Sequence, residues 1–172
     1  QLLNKEQTLA LEPRLNNKIF GSIYNKNRSD ISPLKLLIAL QKSIENQEVS
    51  IINQEVSNLI IKNKLVDSVI VGNDEMKCDK LVIAMGPWSS KIYEWTGIKT
   101  PVSPIKGQIL KLLSNSTKLN YSINWDINYV DSKSDGLIWC GTTEEKSGFD
   151  ENITENARNK IFSETINILP YL

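Results

Sequence analysis

The 172-residue sequence contains no histidine. That absence removes Ser-His-Asp and Cys-His catalysis and the common histidine zinc sites, and no metal site is expected. Cysteine is nearly as scarce. Cys78 and Cys140 stand far apart and form no CxxC pair. They read as free, buried thiols of a reducing compartment, the cytoplasm, with a single disulfide as the alternative. No apolar run approaches the ~20 residues of an integral membrane segment, and no signal-peptide pattern opens the chain. Twenty basic residues balance twenty acidic ones, for a formal net charge of zero. Neither sign is gathered into a stripe, so the electrostatic footprint of a nucleic-acid binder is missing. Glycine is sparse, and none of it falls in the G-x-G-x-x-G turn that seats a pyrophosphate on a helix N-terminus.

What is present is ordinary folding material. The chain is 40% hydrophobic, too rich in Ile, Leu and Val for disorder. Short apolar pairs broken by Pro13 and Asn16-Asn17 predict strands and turns over Leu9 to Tyr24. Ser32-Pro33 is a helix start, because serine accepts a first-turn hydrogen bond and proline suits the first helical position. Leu34, Leu37, Ile38 and Ile44 then give one apolar face, fading near Asn46. Val49 to Ile52 reads as a short strand. Asn46–Ser50 recurs as Asn53–Ser57, but one copy builds no repeat architecture.

From Leu59 the pattern is β. Strands are expected at Leu59–Ile61, Val66–Val71 and Met76–Cys78, with turns at 62–64 and 72–74. Leu81 to Met85 is continuously apolar, as in a strand buried on both faces of a parallel sheet. Ser89 is placed to cap a short helix through Trp95, and Gly97 to end it. Further strands follow at 108–113, 121–123, 128–130 and 137–140, with a hairpin turn at Asp135-Gly136. Thr154 is placed to cap a last helix that turns Ala157, Ile161, Ile166 and Leu169 inward, and Pro170 ends it.

The segment richest in chemical meaning is Asp79–Ser89, where an apolar run closes on Gly86 and a helix begins at once. Ligands of open α/β sheets bind beyond the carboxyl ends of strands, and a glycine lets main chain approach a flat group. A plain strand–turn–helix junction has the same pattern. Glu144-Glu145 suggests paired acid chemistry, but neighbours on a strand point to opposite faces, so both read as solvated or structural.

Three stretches together carry a resemblance. Ala84-Met85-Gly86-Pro87-Trp88-Ser89 is similar to the A-x-G-x-W-S segment of the FAD-dependent amino-acid oxidase superfamily, which includes glycine oxidase, sarcosine oxidase and D-amino-acid dehydrogenase. Pro101 to Gln108 resembles its P-V-x-P-x-R-G-Q loop, with Lys106 where arginine is usual. Tyr129 to Asp150 resembles its Y-L-V-P-R…G-T-T-E-E…G-F-D stretch, with Val130-Asp131-Ser132-Lys133 departing from Val-Pro-Arg. Leu11-Glu12-Pro13, Asp30–Pro33 and Glu55-Val56 are weaker matches in the expected order.

The resemblance implies an α/β (α+β) chain. Residues 31–96 would be part of a dinucleotide-binding FAD domain with a β-meander. Residues 1–30 and 97–172 would belong to a mixed-sheet substrate domain. It implies FAD as cofactor, with the backbone of Val56 on the adenine side and Ala84, Gly86 and Trp88 along the flavin. Trp88 reads equally as a buried anchor of its helix. Tyr129 would lie near the pocket for a small amine or amino acid, or be a half-buried strand tyrosine. The implied reaction passes a hydride from the amine-bearing carbon to flavin, and water hydrolyses the imine.

The family's phosphate turn is expected before residue 1, and its substrate-gripping arginine after residue 172. The chain is therefore expected to be an internal fragment, inactive alone, binding FAD weakly or not at all. Exposed apolar surface would favour self-association into a homo-oligomer. The competing class is a stand-alone, non-catalytic α+β binding or structural module.

Overall fold

The computed structural model describes residues 1–114 and 118–172. The chain is a mixed α/β protein in two compact units: Gln1–Leu36 with Lys106–Leu172, and Leu37–Ile105. Every strand pair among the described residues is antiparallel.

In the first unit, strand β1 (Leu2–Asn4) pairs with β2 (Gly21–Ile23), and helix α1 (Lys5–Leu11) runs between them. The sequence suggested only strands and turns over much of this stretch. A capping box decides otherwise. Asn4 Oδ1 accepts from Gln7 N at 2.9 Å, and Gln7 Oε1 accepts from Asn4 N at 3.0 Å. Two of the helix's otherwise unpaired donors are thereby satisfied.

The rest of this unit is a four-stranded sheet. Its strands are β6 (Ile109–Leu112), β7 (Ile123–Trp125), β8 (Asn128–Ser132) and β9 (Ile138–Gly141) in the order β6-β9-β8-β7. Gly136, at φ 84°, makes the turn between β8 and β9 where Asp135-Gly136 predicts one. Register fixes rows across the sheet: Val130–Cys140–Leu110 and Ser132–Ile138–Leu112 alternate with Tyr129–Gly141–Ile109 and Asp131–Trp139–Lys111. The first pair of rows faces helix α4 (Glu155–Ile168), whose Ile161 is buried with Val130, Ile138, Cys140 and Leu169. By strand alternation the second pair of rows lies on the opposite face.

Thr154 caps α4 as expected, its Oγ1 accepting from Ala157 N at 3.3 Å. Ile166, expected inward, is exposed, and Thr165 takes the buried place. At 3.6 residues per turn, 157, 161 and 165 stack on one line, and 166 is rotated about 100° away.

In the second unit, β3 (Val56–Lys62), β4 (Leu65–Val71) and β5 (Asp74–Lys77) form the expected meander, with tight turns at Asn63-Lys64 and Gly72. Helix α3 (Ile92–Thr96) packs against β3, and Ile92 on the helix, Leu59 on β3 and Val71 on β4 are buried. Gly97, at φ 73°, ends α3 as expected. Helix α2 (Pro33–Glu45), whose residues up to Leu36 belong to the first unit and the rest to the second, begins and ends where the sequence placed it, yet none of its residues is buried.

Three expectations fail here. Val49–Ile52 forms no strand. Leu81–Met85 also pairs with no strand among the described residues, and Leu81, Val82 and Ile83 are exposed. Apolar composition marks a segment for burial, but only a neighbour offering backbone donors and acceptors makes it a strand. Ser89 does not cap the following helix. Its Oγ donates back to Gly86 O at 2.7 Å, inside a 3₁₀ turn (Gly86–Lys91) with Pro87 at its start.

Candidate functional site: an apolar cavity and an open sheet face

The second unit holds a cavity of about 770 Å³, within the ~300–1,000 Å³ usual for small-molecule and cofactor sites. Its walls are the start of β3 (Val56, Ser57, Leu59), the run Leu81–Met85, and one side of the 3₁₀ turn and α3 (Trp88, Lys91, Trp95). The bend that assembles it is made by Gly86, whose φ of 53° lies in the left-handed region that favours glycine. Trp88 N donates to Met85 O at 3.1 Å and tightens the turn. Apart from its chain neighbours, no atom of the described residues lies within 4 Å of where a Cβ on Gly86 would be, so backbone conformation, not crowding, selects glycine here.

The structure therefore brings Val56, Ala84 and Trp88 to one cavity, with Gly86 at its bend. Trp88 is 45% exposed and does not serve as a buried anchor. Trp95 and Lys91 were not singled out in the sequence. Lys91 is three and Trp95 seven residues beyond Trp88, the helical spacing that puts all three on one side.

Tyr129 belongs to the first unit, half-buried on β8. Burial pushes its phenol pKa above the usual value; Lys133 works against this, while Cys140 and Asp131 add to it. Asp131 is buried beside it in an ion pair with Lys133, and Asp30 lies 3.8 Å from the same ammonium.

A third cluster joins the loop before β6 to the segment after β9. Lys106 Nζ donates to Asn152 O at 2.9 Å and lies 3.2 Å from Asp150 and 3.6 Å from Glu145. Gln108 Nε2 donates to Glu145 Oε1 at 2.8 Å, and its Oε1 accepts from Thr154 N at 2.9 Å. Hydrogen bonds from Thr143 and then Gln108, aided by Lys106, hold the Glu145 carboxyl below its usual range despite some desolvation. Glu145 is thus a structural carboxylate, and Glu144 is exposed to solvent. Among the described residues no group of Cys, Asp and Glu could hold a metal ion.

A mixed α/β chain of antiparallel sheets, with a cofactor-sized apolar cavity behind a glycine bend, is the class this architecture defines. The family model described as FAD dependent oxidoreductase (DAO) matches residues 1–172, and the chain belongs to that family. Glycine oxidase of Pseudomonas aeruginosa is 26% identical over 169 residues, covering 97% of this chain and 46% of that protein. D-amino acid dehydrogenase of Vibrio atlanticus is 26% identical over 167 residues, covering 93% of this chain and 40% of its own. The crystal structure of glycine oxidase from Geobacillus kaustophilus superposes with a TM-score of 0.91 at 20% identity, over 99% of this chain and 46% of that one. The chain spans under half the length of these relatives.

Proposed function

We propose that the chain is the cofactor-covering and substrate-facing portion of an FAD-dependent oxidoreductase acting on the C–N bond of glycine, sarcosine or a D-amino acid. The observation that carries this reading is the meeting of Val56, Ala84 and Trp88 at one cavity, in a chain whose family is FAD-dependent. The second unit then corresponds to the FAD-binding part and the first to the substrate part.

The cavity residues suit a flat aromatic group. Leu81, Ile83, Ala84 and Met85 supply apolar wall, and Trp88 and Trp95 supply ring faces. The free space over Gly86 leaves its main chain open to approach. In this assignment the backbone of Val56 meets the adenine side, and Ala84, Gly86 and Trp88 lie along the flavin. When bound, FAD supplies the acceptor for a hydride from the amine-bearing carbon. The chain's own residues bind, orient and exclude water. These 172 residues contribute no histidine as a base, and none is required if the amine arrives neutral. Tyr129 faces the substrate. The two free thiols support a reducing compartment, the cytoplasm.

No phosphate-cradling glycine turn occurs in these 172 residues. The isolated chain is accordingly expected to bind FAD weakly or not at all and to be inactive. The test of function uses the whole gene product, made anaerobic and mixed with glycine, sarcosine or D-alanine. Bleaching of the flavin band by one of these amines supports the reading. A flavin that no amine bleaches overturns the activity, and a colourless product favours a non-catalytic α+β module.

A further inference from the structure

On the sheet face away from α4, Tyr129, Gly141 and Ile109 form one row across β8, β9 and β6. In such a row each residue's Cβ stands about 5 Å from its neighbour's, and side chains rise from the sheet. The middle position of this row has no side chain. A Cβ built on Gly141 would lie 2.5 Å from Tyr129 Cε1, 3.0 Å from Tyr129 Cζ and 3.1 Å from Ile109 Cγ2. The 2.5 Å contact is below any separation that real Cβ atoms adopt. The Tyr129 ring therefore occupies the slot that a side chain at 141 would fill.

The atoms nearest that slot are informative. Cζ bears the phenol oxygen, and Cε1 is next to it. The far end of the ring, not its root, is what lies over Gly141. The ring reclines across β9 toward Ile109, and the hydroxyl is delivered over the neighbouring strand. The φ of Gly141 is not in the left-handed region, so the backbone does not demand glycine there; the approach of the ring does.

We infer that Gly141 is the positioning residue for Tyr129: its bare backbone lays the phenol across the open sheet face and sets where the hydroxyl meets an amino-acid substrate. This rests on the reading that this face is the substrate side, and it extends that reading to a residue that touches no ligand. Gly141 carries no functional group. Any side chain there lifts the ring off β9 and moves the hydroxyl, while Tyr129 itself remains in the chain.

Two measurements test the placement without reference to activity. In the wild-type chain, strong NOEs are expected between Tyr129 ring protons and the Gly141 Hα protons; their absence overturns the inference. In Gly141→Ala, the Tyr129 phenol, isolated by subtracting the Tyr129→Phe titration, is expected to move back toward an ordinary tyrosine value with far-UV dichroism unchanged. An unmoved titration in a folded Gly141→Ala variant also overturns it. The functional half is a double-mutant cycle in the amine-reduction assay. Gly141→Ala is expected to raise KM about tenfold, the size of one lost hydrogen bond, and to add little in a Tyr129→Phe background. Fully additive effects reject positioning through Tyr129. Absence of all amine turnover would instead reject the proposed function, while the NOE and titration results still decide the ring placement.

Discussion

Lys106 and Glu145 are joined twice. Their main chains exchange both hydrogen bonds, at 2.9 and 2.8 Å, and their side chains form an ion pair at 3.6 Å. These two residues come from separate stretches of the sequence, the Pro101–Gln108 loop and the strand end that follows Gly141. The Lys106 side chain is only 11% exposed and is shared with Asp150 and Asn152. Replacing it by Met removes one cationic partner from each of two carboxylates and the donor to the Asn152 carbonyl, while Thr143, Gln108 and Asn152 still hold the carboxylates. Lys106→Met is expected to cost about 2 kcal/mol, read as a lowered urea midpoint at unchanged m-value. Lys106→Arg keeps the charge and the donors and is expected to cost less.

Thr154 links this network to α4. Its hydroxyl caps the helix, and its N–H and hydroxyl both meet Gln108. Thr154→Ala is expected to lower stability by about 1 kcal/mol, the usual cost of a lost N-cap. Thr154→Ser keeps the oxygen and is expected to retain most of it. Urea unfolding of the three proteins makes the comparison.

Helix α4 offers a paired test of which face it buries. Ile161 is 1% exposed and Ile166 39%. Ile161→Ala is expected to cost about 3 kcal/mol through lost burial and a residual cavity. Ile166→Ala is expected to stay within about 1 kcal/mol. Similar losses at both positions would contradict the observed helix rotation.

Acid should unfold the protein through a few identifiable carboxylates. Glu145 is held down by Thr143, Gln108 and Lys106. Asp150 is held down first by the Asn152 backbone N–H and then by Lys106. Burial pushes Glu12 up, but hydrogen bonds and charge from Arg14 outweigh it and leave it lowered. A folded-state pKa below the unfolded value gives stability that is present above the unfolded pKa and lost as pH falls through the folded one. The urea midpoint is therefore expected to hold from pH 7 to 5 and to fall below about pH 4. Tyr129 has the opposite sign. Its raised pKa gives stability that is lost above about pH 10, and Tyr129→Phe is expected to remove that part of the alkaline loss.

The elements readable from sequence were those with local punctuation. Pro33 opened α2, Thr154 capped α4, Gly97 closed α3, and Asp135-Gly136 turned β8 into β9. Each signal acts within a few residues of itself. The misreadings concern longer range or competing signals. Leu81–Met85 has strand composition but no paired neighbour among the described residues. Ile166 is as apolar as Ile161 but lies off the buried line. The Asn4–Gln7 capping box outweighed the broken apolar pairs that follow it. The cavity residues Val56, Ala84 and Trp88 were legible only through the family resemblance. Gly141 was read only as the glycine of the G-T-T-E-E match, and its place beneath the Tyr129 ring was not legible, because a glycine made necessary by a ring on another strand carries no local mark.

The flavin content of the purified whole gene product tests the central claim most directly, compared between wild type and Ala84→Arg by visible absorbance per protein. About one FAD per wild-type chain, with most of it lost when a charged side chain is set into the apolar wall at 84, is the expected result. An Ala84→Arg protein that is folded and holds as much flavin as wild type would contradict the placement of the cofactor in this cavity.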